Sequence, residues 1–271
     1  VVLPEVKENV LKDKFNHGRR SIHQWVLEND QWKKIVQAYA ASITFADTMV
    51  GRLIDTLKES RYADNTIIIL WSDHGMHMGQ KENFEKFTLW ELSTRVPFLI
   101  KAPGVTQPGN KSDQPVSLID IYPTLVDLAG FKMPDHLDGN SLVPLMEDPS
   151  IETEPVISSY QFTVNPKWHI GSVYEPETAH AVRSMNYRYI YYTGIGLEEL
   201  YVHGTDPNEW YNIAYKKEYA EVVEQHRQYL LDLIPNLTWA DDENPEGYSV
   251  INDGTIRKTG FIPMSEVLQE H

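Results

Sequence analysis

The sequence predicts an α/β protein with a mainly parallel sheet flanked by helices, followed by a smaller α+β subdomain with antiparallel strands. Three observations support this prediction: one long amphipathic helix pattern, two short apolar strand patterns after it, and a change to tyrosine-rich alternation beyond residue 150. We therefore divide the chain into an α/β core portion, residues 1–150, and a smaller C-terminal subdomain, residues 151–271.

The helix pattern is the strongest local signal in the sequence. Apolar residues recur every three or four positions from Trp32 to Leu57, behind a candidate N-cap at Asp30. This spacing places the apolar side chains on one face of a helix of about seven turns. We expect this helix to pack along its length on a core.

Two apolar runs after the helix are typical of buried strands. Thr66–Trp71 is short and β-branched, and Val96–Ile100 ends at an Ala-Pro-Gly turn. A helix followed by strands that are apolar on both faces favours parallel pairing. Ser117–Leu128 then predicts a helix, in which Asp120 is expected to be a buried cap or strut rather than a catalyst.

The predicted subdomain has a different pattern. Arg183–Tyr192 alternates and is rich in tyrosine, which indicates one half-exposed antiparallel strand. Glu199–Tyr201 predicts a shorter strand, and residues 217–233 carry the apolar spacing of a helix.

Composition excludes several classes of function. The formal net charge of −15 argues against nucleic acid or an anionic membrane as a partner, because both bind Lys and Arg clusters. No apolar run approaches the length of about 20 residues that crosses a bilayer, so we expect no membrane span. The absence of cysteine excludes disulfides, thiolate metal ligands and a cysteine nucleophile within this chain.

The segment after the first predicted strand carries the chemistry. Asp73 and His74 lie just beyond the end of Thr66–Trp71, where side chains of an α/β sheet project into the ligand crevice. A carboxylate and an imidazole there could bind a divalent cation. Taken alone, Asp-His-Gly is a weak motif.

The flanking residues make the pattern more specific. Lys86 follows thirteen positions after Asp73, and Thr94-Arg95-Val96-Pro97 leads into the next strand. This order resembles the type I sulfatases of the alkaline phosphatase superfamily, most closely the branch containing iduronate-2-sulfatase. The resemblance runs over about residues 30–230, and it implies an alkaline-phosphatase-like sheet, of which the chain holds the C-terminal part.

The resemblance also implies site roles. Asp73 and His74 would bind Ca²⁺, and Lys86 would contact the sulfate and act in catalysis. His77 would line the substrate pocket, although a structural hydrogen-bonding role stays equally open. The implied substrate is a sulfated carbohydrate or another sulfate ester. By resemblance alone, the compartment would be periplasmic, secreted or lysosomal.

The chain departs from the family pattern in one important respect. These enzymes use a formylglycine made within a Cys/Ser-x-Pro-x-Arg motif, and neither version occurs in this sequence. We therefore expect the N-terminal half of the enzyme, with its formylglycine, to lie outside this chain, and we expect this chain alone to be inactive. Two alternatives stay open: a phosphodiesterase or phosphonate hydrolase of the same superfamily, and a non-catalytic binding module derived from a sulfatase.

Overall fold

A computed structural model describes residues 22–162, 177–193, 196–235, 237, 248–250 and 256–258. In these ranges the helices are α1 (Ile22–Glu28), α2 (Trp32–Lys58), α3 (Glu91–Thr94), α4 (Ile121–Leu128), α5 (Val143–Glu147) and α6 (Ala220–Leu233). The strands are β1 (Ile68–Trp71), β2 (Phe98–Lys101), β3 (Val156–Phe162), β4 (Glu177–Arg183), β5 (Tyr187–Tyr192), β6 (Leu197–Val202), β7 (Tyr248–Val250) and β8 (Ile256–Lys258). The predicted α/β class is confirmed.

Helix α2 has the predicted extent but not the predicted surroundings. Asp30 is not its N-cap: Gln31 takes that position, and it makes no capping hydrogen bond through its side chain. No residue of α2 is buried, and the exposed apolar residues include Val36, Tyr39, Ile43, Phe45, Met49 and Leu53. The prediction that α2 packs on a core is therefore wrong for the part of the chain that the structure describes.

Strands β1 and β2 pair with each other in antiparallel order. The register places Ile68 opposite Lys101 and Trp71 opposite Phe98. The prediction of mainly parallel pairing is therefore wrong for these two strands. Parallel neighbours need a crossover, usually a helix, whereas the connection here contains a three-residue 3₁₀ turn (Gln80–Glu82) and the four-residue helix α3, and is otherwise loop.

The C-terminal sheet has the antiparallel order β3-β4-β5-β6, as predicted. The expected single strand Arg183–Tyr192 is instead two strands, because a turn closed by the Ser184 N–H and the Tyr187 carbonyl (3.0 Å) separates β4 from β5. The second strand is almost wholly buried, not half-exposed as predicted.

Both faces of this sheet are covered, which explains the burial of β5. Helix α6 packs Val223 and Leu230 against one face. Leu89 and Trp90, from the connection between β1 and β2, pack against the other face with Ile190 and Tyr201. The core of the sheet thus includes residues from the first predicted domain, and the boundary at residue 150 stays a prediction.

The α4 region matches its prediction closely. Asp120 is buried, and its carboxylate accepts hydrogen bonds from the Ser117 N–H (2.8 Å) and the Asn140 N–H (2.9 Å). The first bond closes a capping box on the 3₁₀ turn Leu118–Asp120 that leads into α4, and the second ties this turn to a later loop, which is the strut role expected from the sequence. Among the described residues, no helix combines the length and apolarity that crossing a membrane requires.

Candidate functional site

The candidate site lies on the loop that leaves the end of β1. Two glycines shape this loop by close approach. A Cβ on Gly75 would lie 2.0 Å from the Leu92 carbonyl oxygen, and a Cβ on Gly79, which has φ +104°, would lie 2.1 Å from the Trp32 ring. Only glycine therefore fits at either position.

Three of the four predicted site residues meet at this loop. The Lys86 Nζ lies 2.6 Å from the His74 Nε2, and an Asp73 carboxylate oxygen lies 3.4 Å from the same nitrogen. Asp73 is largely exposed, whereas His74 and Lys86 are half-buried. A small, partly open site thus holds one carboxylate, one imidazole and one ammonium.

Hydrogen bonds fix the state of the His74 ring. Its Nδ1 donates to the Gly75 carbonyl at 2.8 Å, so its Nε2 carries the lone pair that accepts from Lys86. Histidines that bind metals commonly donate their second nitrogen to such a carbonyl. Two ligand atoms on one Ca²⁺, each about 2.4 Å from it and at right angles, would be about 3.4 Å apart. The spacing of Asp73 and His74 therefore fits a shared cation, which would take the Nε2 lone pair in place of the Lys86 ammonium.

The surroundings favour the charged form of Asp73. Desolvation raises its pKa, but the neighbouring His74 ring, the His74 N–H at 3.0 Å and the Lys86 ammonium together hold its pKa below the ordinary value. Asp73 is therefore available as a carboxylate ligand near neutral pH.

His77 lies away from this group. It is fully buried; its Nδ1 donates to the Gln80 carbonyl at 3.3 Å, and its Nε2 accepts from the Thr88 hydroxyl at 3.0 Å. Burial lowers its pKa to about 4, so the ring is neutral. Of the two roles that the sequence leaves open, the geometry favours the structural one over contact with substrate.

A buried ionic network behind the site was not predicted. The Arg188 guanidinium forms ion pairs with Glu91 and, at 2.7 Å, with Glu209, while His203 lies 3.0 Å from Glu209. Burial raises the pKa of both carboxyls, but Arg188 together with His203 and further neighbours outweighs it and holds the pKa of each below its ordinary value. The network joins the start of α3 to the C-terminal sheet.

Three members of this network could in principle bind a metal ion. One ligand atom from each of Glu91, His203 and Glu209 lies within 4.8 Å of the others. However, Arg188 already ion-pairs with both carboxylates and supplies the positive charge that a cation would bring. We therefore assign these residues to structure. Their spacing along the chain gives no periodic signal that could have brought the three together.

Curated relatives match most of this chain. A sulfatase of Formosa agariphila is 39% identical over 82% of the chain and 40% of its own length. A choline-sulfatase of Rhizobium meliloti is 33% identical over 78% of the chain and 40% of its own length. A delta 4,5-hexuronate-2-O-sulfatase of Bacteroides thetaiotaomicron is 30% identical over 72% of the chain and 41% of its own length. The chain thus spans about two fifths of the length of these relatives.

Solved structures share the fold. A 2-O GAG sulfatase superposes with a TM-score of 0.71 at 24% identity, over 89% of this chain and 52% of that one. A phosphonate monoester hydrolase from Silicibacter pomeroyi superposes with a TM-score of 0.60 at 26% identity, over 79% of this chain and 42% of that one. Both support the alkaline-phosphatase-like fold expected from the sequence.

Two protein families match overlapping parts of the chain. The family "Sulfatase" matches residues 7–131, and the family "N-sulphoglucosamine sulphohydrolase, C-terminal" matches residues 79–236. The first match contains the loop with Asp73, His74 and Lys86, and the second covers more than half of the chain. From these matches and from the relatives, we conclude that this chain belongs to the sulfatase family.

Proposed function

We propose that this chain is the C-terminal part of a calcium-dependent sulfatase that hydrolyses the sulfate ester of a sulfated sugar. The observation that carries the proposal is the meeting of Asp73, His74 and Lys86 at the end of β1. The hexuronate-2-O-sulfatase relative supports a sugar substrate and a place near the iduronate-2-sulfatase branch.

The proposed chemistry follows from charge. Hydrolysis of a sulfate ester builds negative charge on the leaving oxygen, and the oxygens of the sulfuryl group carry negative charge throughout. Fixed cations next to these atoms bind the ester and lower the barrier. Lys86 would hold its ammonium against a sulfate oxygen, and Asp73 and His74 would hold Ca²⁺. When bound, the ion would neutralise charge on the sulfate and orient the nucleophile.

The nucleophile itself is proposed to belong to the preceding part of the same enzyme. This chain contains no Cys/Ser-x-Pro-x-Arg sequence, and its relatives are more than twice as long as the matched region. We propose that the preceding part also covers the exposed apolar face of α2 and the exposed Leu70, Trp71 and Leu99 of the β1–β2 pair. Water-exposed apolar side chains in such a row are typical of an interface.

The first test is activity. We expect the isolated chain to release no sulfate from aryl sulfates or sulfated disaccharides, because it cannot form a covalent sulfate ester without a nucleophile. The full-length gene product should release sulfate and should carry formylglycine, detected by mass spectrometry of its peptides. Turnover by the verified isolated chain above a buffer blank would contradict the proposal. A full-length product without formylglycine and without activity would favour the binding module.

A second candidate function is phosphonate monoester hydrolysis, which the Silicibacter structure favours. The same full-length protein should therefore be assayed on a phosphonate monoester beside the sulfate esters. We expect the sulfate ester to have the higher kcat/KM. The reverse order would assign the protein to the phosphonate hydrolases.

Calcium binding gives a further prediction. We expect the isolated chain to bind Ca²⁺ more weakly than micromolar, because Asp73 and His74 supply two ligands where Ca²⁺ takes six to eight. Calorimetric titration of the chain measures this, with Asp73→Asn as the variant and Asp113→Asn, at another exposed aspartate, as the matched control. Submicromolar affinity, or affinity unchanged by Asp73→Asn, would mean that the cation binds elsewhere.

A further inference from the structure

The loop of residues 77–85 reaches from the candidate site to the C-terminal sheet, and we call it the anchor loop. Its two sides are joined by the His77 N–H and the Glu85 carbonyl (3.1 Å) and by the Gly79 N–H and the Asn83 carbonyl (2.8 Å). At its tip, Lys81 has φ 52°, in the left-handed region that a lysine rarely adopts. Such a conformation persists only where other contacts hold it.

Lys81 supplies those contacts. Its side chain is buried, and its Nζ donates to the Tyr201 hydroxyl at 3.1 Å and to the Glu209 backbone carbonyl. The same nitrogen lies 4.1 Å from the centre of the Trp90 ring and 4.3 Å from that of Tyr201. The ammonium is therefore enclosed by oxygens and aromatic faces, both of which favour a cation.

The carboxyl group of Glu199 is the strongest electrostatic partner of Lys81: burial lowers the pKa of Lys81 and raises that of Glu199, and each group opposes the shift of the other. Glu199 accepts from the Trp90 indole N–H at 2.7 Å and from the Tyr201 hydroxyl at 2.9 Å. Two of the groups around the Lys81 ammonium, Trp90 and Tyr201, are thus oriented by Glu199. A lysine is buried at such depth only when it is paired and hydrogen-bonded. The groups around the Lys81 ammonium therefore form a specific binding site for this side chain.

The anchor loop ends one residue before Lys86. The tip is fixed in the sheet by Lys81, the base is fixed by the Glu85–His77 pair, and the next side chain reaches back to His74. A displacement of the tip would pass through this short hairpin to the Lys86 backbone. We infer that Lys81 is a positioning residue, which sets where the Lys86 ammonium stands relative to His74. This inference rests on the proposed function for the role of Lys86 in catalysis.

The position of Lys86 can be measured without catalysis. In a chain with ¹⁵N-labelled histidine, the Nε2 resonance of His74 reports whether a donor occupies its lone pair. Lys86→Ala defines the resonance without that donor. We expect Lys81→Met to move the resonance most of the way to this reference, and the matched variant Lys132→Met, at an exposed lysine, to leave it unchanged. A folded Lys81→Met chain with the parental resonance would overturn the inference.

A second variant separates positioning from folding. Lys81→Met leaves Glu199 buried without its cation, whereas Lys81→Met/Glu199→Gln removes both charges and should recover much of the lost stability. The double variant still lacks the donor to Tyr201 and to the Glu209 carbonyl. We therefore expect its unfolding midpoint to recover while the His74 resonance stays displaced. Recovery of both would mean that Lys81 only balances charge, which would overturn the inference.

The catalytic consequence is measured in the full-length protein. Misplacing a catalytic group by about 1 Å can cost about 10²-fold in rate, so we expect Lys81→Met to lower kcat/KM by roughly 10- to 100-fold, mainly through kcat. Unchanged kcat/KM would overturn the role in catalysis. If the unmodified full-length protein cleaves no sulfate ester, the proposed function fails. The His74 resonance would still show whether Lys81 sets the position of Lys86.

Discussion

Replacing Lys86 with alanine in the full-length enzyme is expected to lower kcat/KM for a sulfate ester by about 10²–10³-fold. Removing one donor that faces developing charge in a transition state typically costs roughly 3–4 kcal/mol. The ammonium of Lys86 stands 2.6 Å from the His74 Nε2 and helps to lower the pKa of Asp73, so it lies at the site of the proposed cation ligands. Steady-state kinetics on one sulfated disaccharide measures the effect.

Companion variants make the result specific. Lys86→Arg should rescue activity only in part, since a planar guanidinium differs from an ammonium in reach and geometry. Asp73→Ala should be at least as damaging as Lys86→Ala, because it disturbs the proposed cation. Lys132→Ala, at an exposed lysine far along the chain, should keep parental kinetics. A folded Lys86→Ala enzyme with near-parental kcat/KM would show that Lys86 is only a solvated surface charge.

Replacing Arg188 with methionine is expected to destabilise the chain by about 3–5 kcal/mol. Breaking a buried ion pair by removing one partner leaves buried charge that is poorly compensated. Without Arg188, Glu91 would keep Arg183 at 3.4 Å and Glu209 would keep His203 at 3.0 Å, but both carboxylates would lose their most deeply buried cation. Urea denaturation of the isolated chain measures the loss as a lower midpoint.

Arg95 provides the matched control, because it pairs with the same carboxylate from the surface. Its Nη1 lies 4.0 Å from Glu91, and its side chain is 79% exposed. Exposed pairs contribute about 0–1 kcal/mol, so Arg95→Met should hardly move the midpoint. Equal effects of Arg188→Met and Arg95→Met would show that burial does not govern the strength of this network.

The sequence predicts the candidate site well because the site is local. Asp73 and His74 are adjacent, and Lys86 returns to them through one short loop, so motif and spacing are sufficient to bring them together. His77 has the same local signal, yet it is buried and bonded on both ring nitrogens. A motif identifies a loop, but it does not indicate which of its side chains face outward.

The buried charges could not be predicted for the opposite reason. Lys81 contacts Tyr201 across 120 positions of sequence, and Trp90 contacts Glu199 across 109. In a sequence, a lysine or a glutamate is ordinarily interpreted as a solvated surface residue. Only the tertiary fold brings Lys81 to Tyr201 and Trp90 to Glu199. Strand direction is hidden in the same way, since the apolar run of β1 is compatible with parallel and antiparallel partners alike.

The helix pattern was informative about α2 and uninformative about its environment. Regular apolar spacing gave its extent to within a residue or two, because that spacing is a property of the helix itself. Burial depends on what covers the apolar face, and nothing in the described part of the chain covers Ile43, Phe45 or Leu53.

Leu89, Trp90 and Glu91 pack against the C-terminal sheet, and this packing limits where two sulfatases of this kind can be joined to make a hybrid protein. A hybrid joined near residue 150 would place the sheet of one parent against residues 79–95 of another. Trp90 would then no longer meet its own Glu199, nor Glu91 its own Arg188. Exchanging residues 79–95 together with the sheet would keep both. The unit that evolution or an engineer can transplant is therefore discontinuous in sequence.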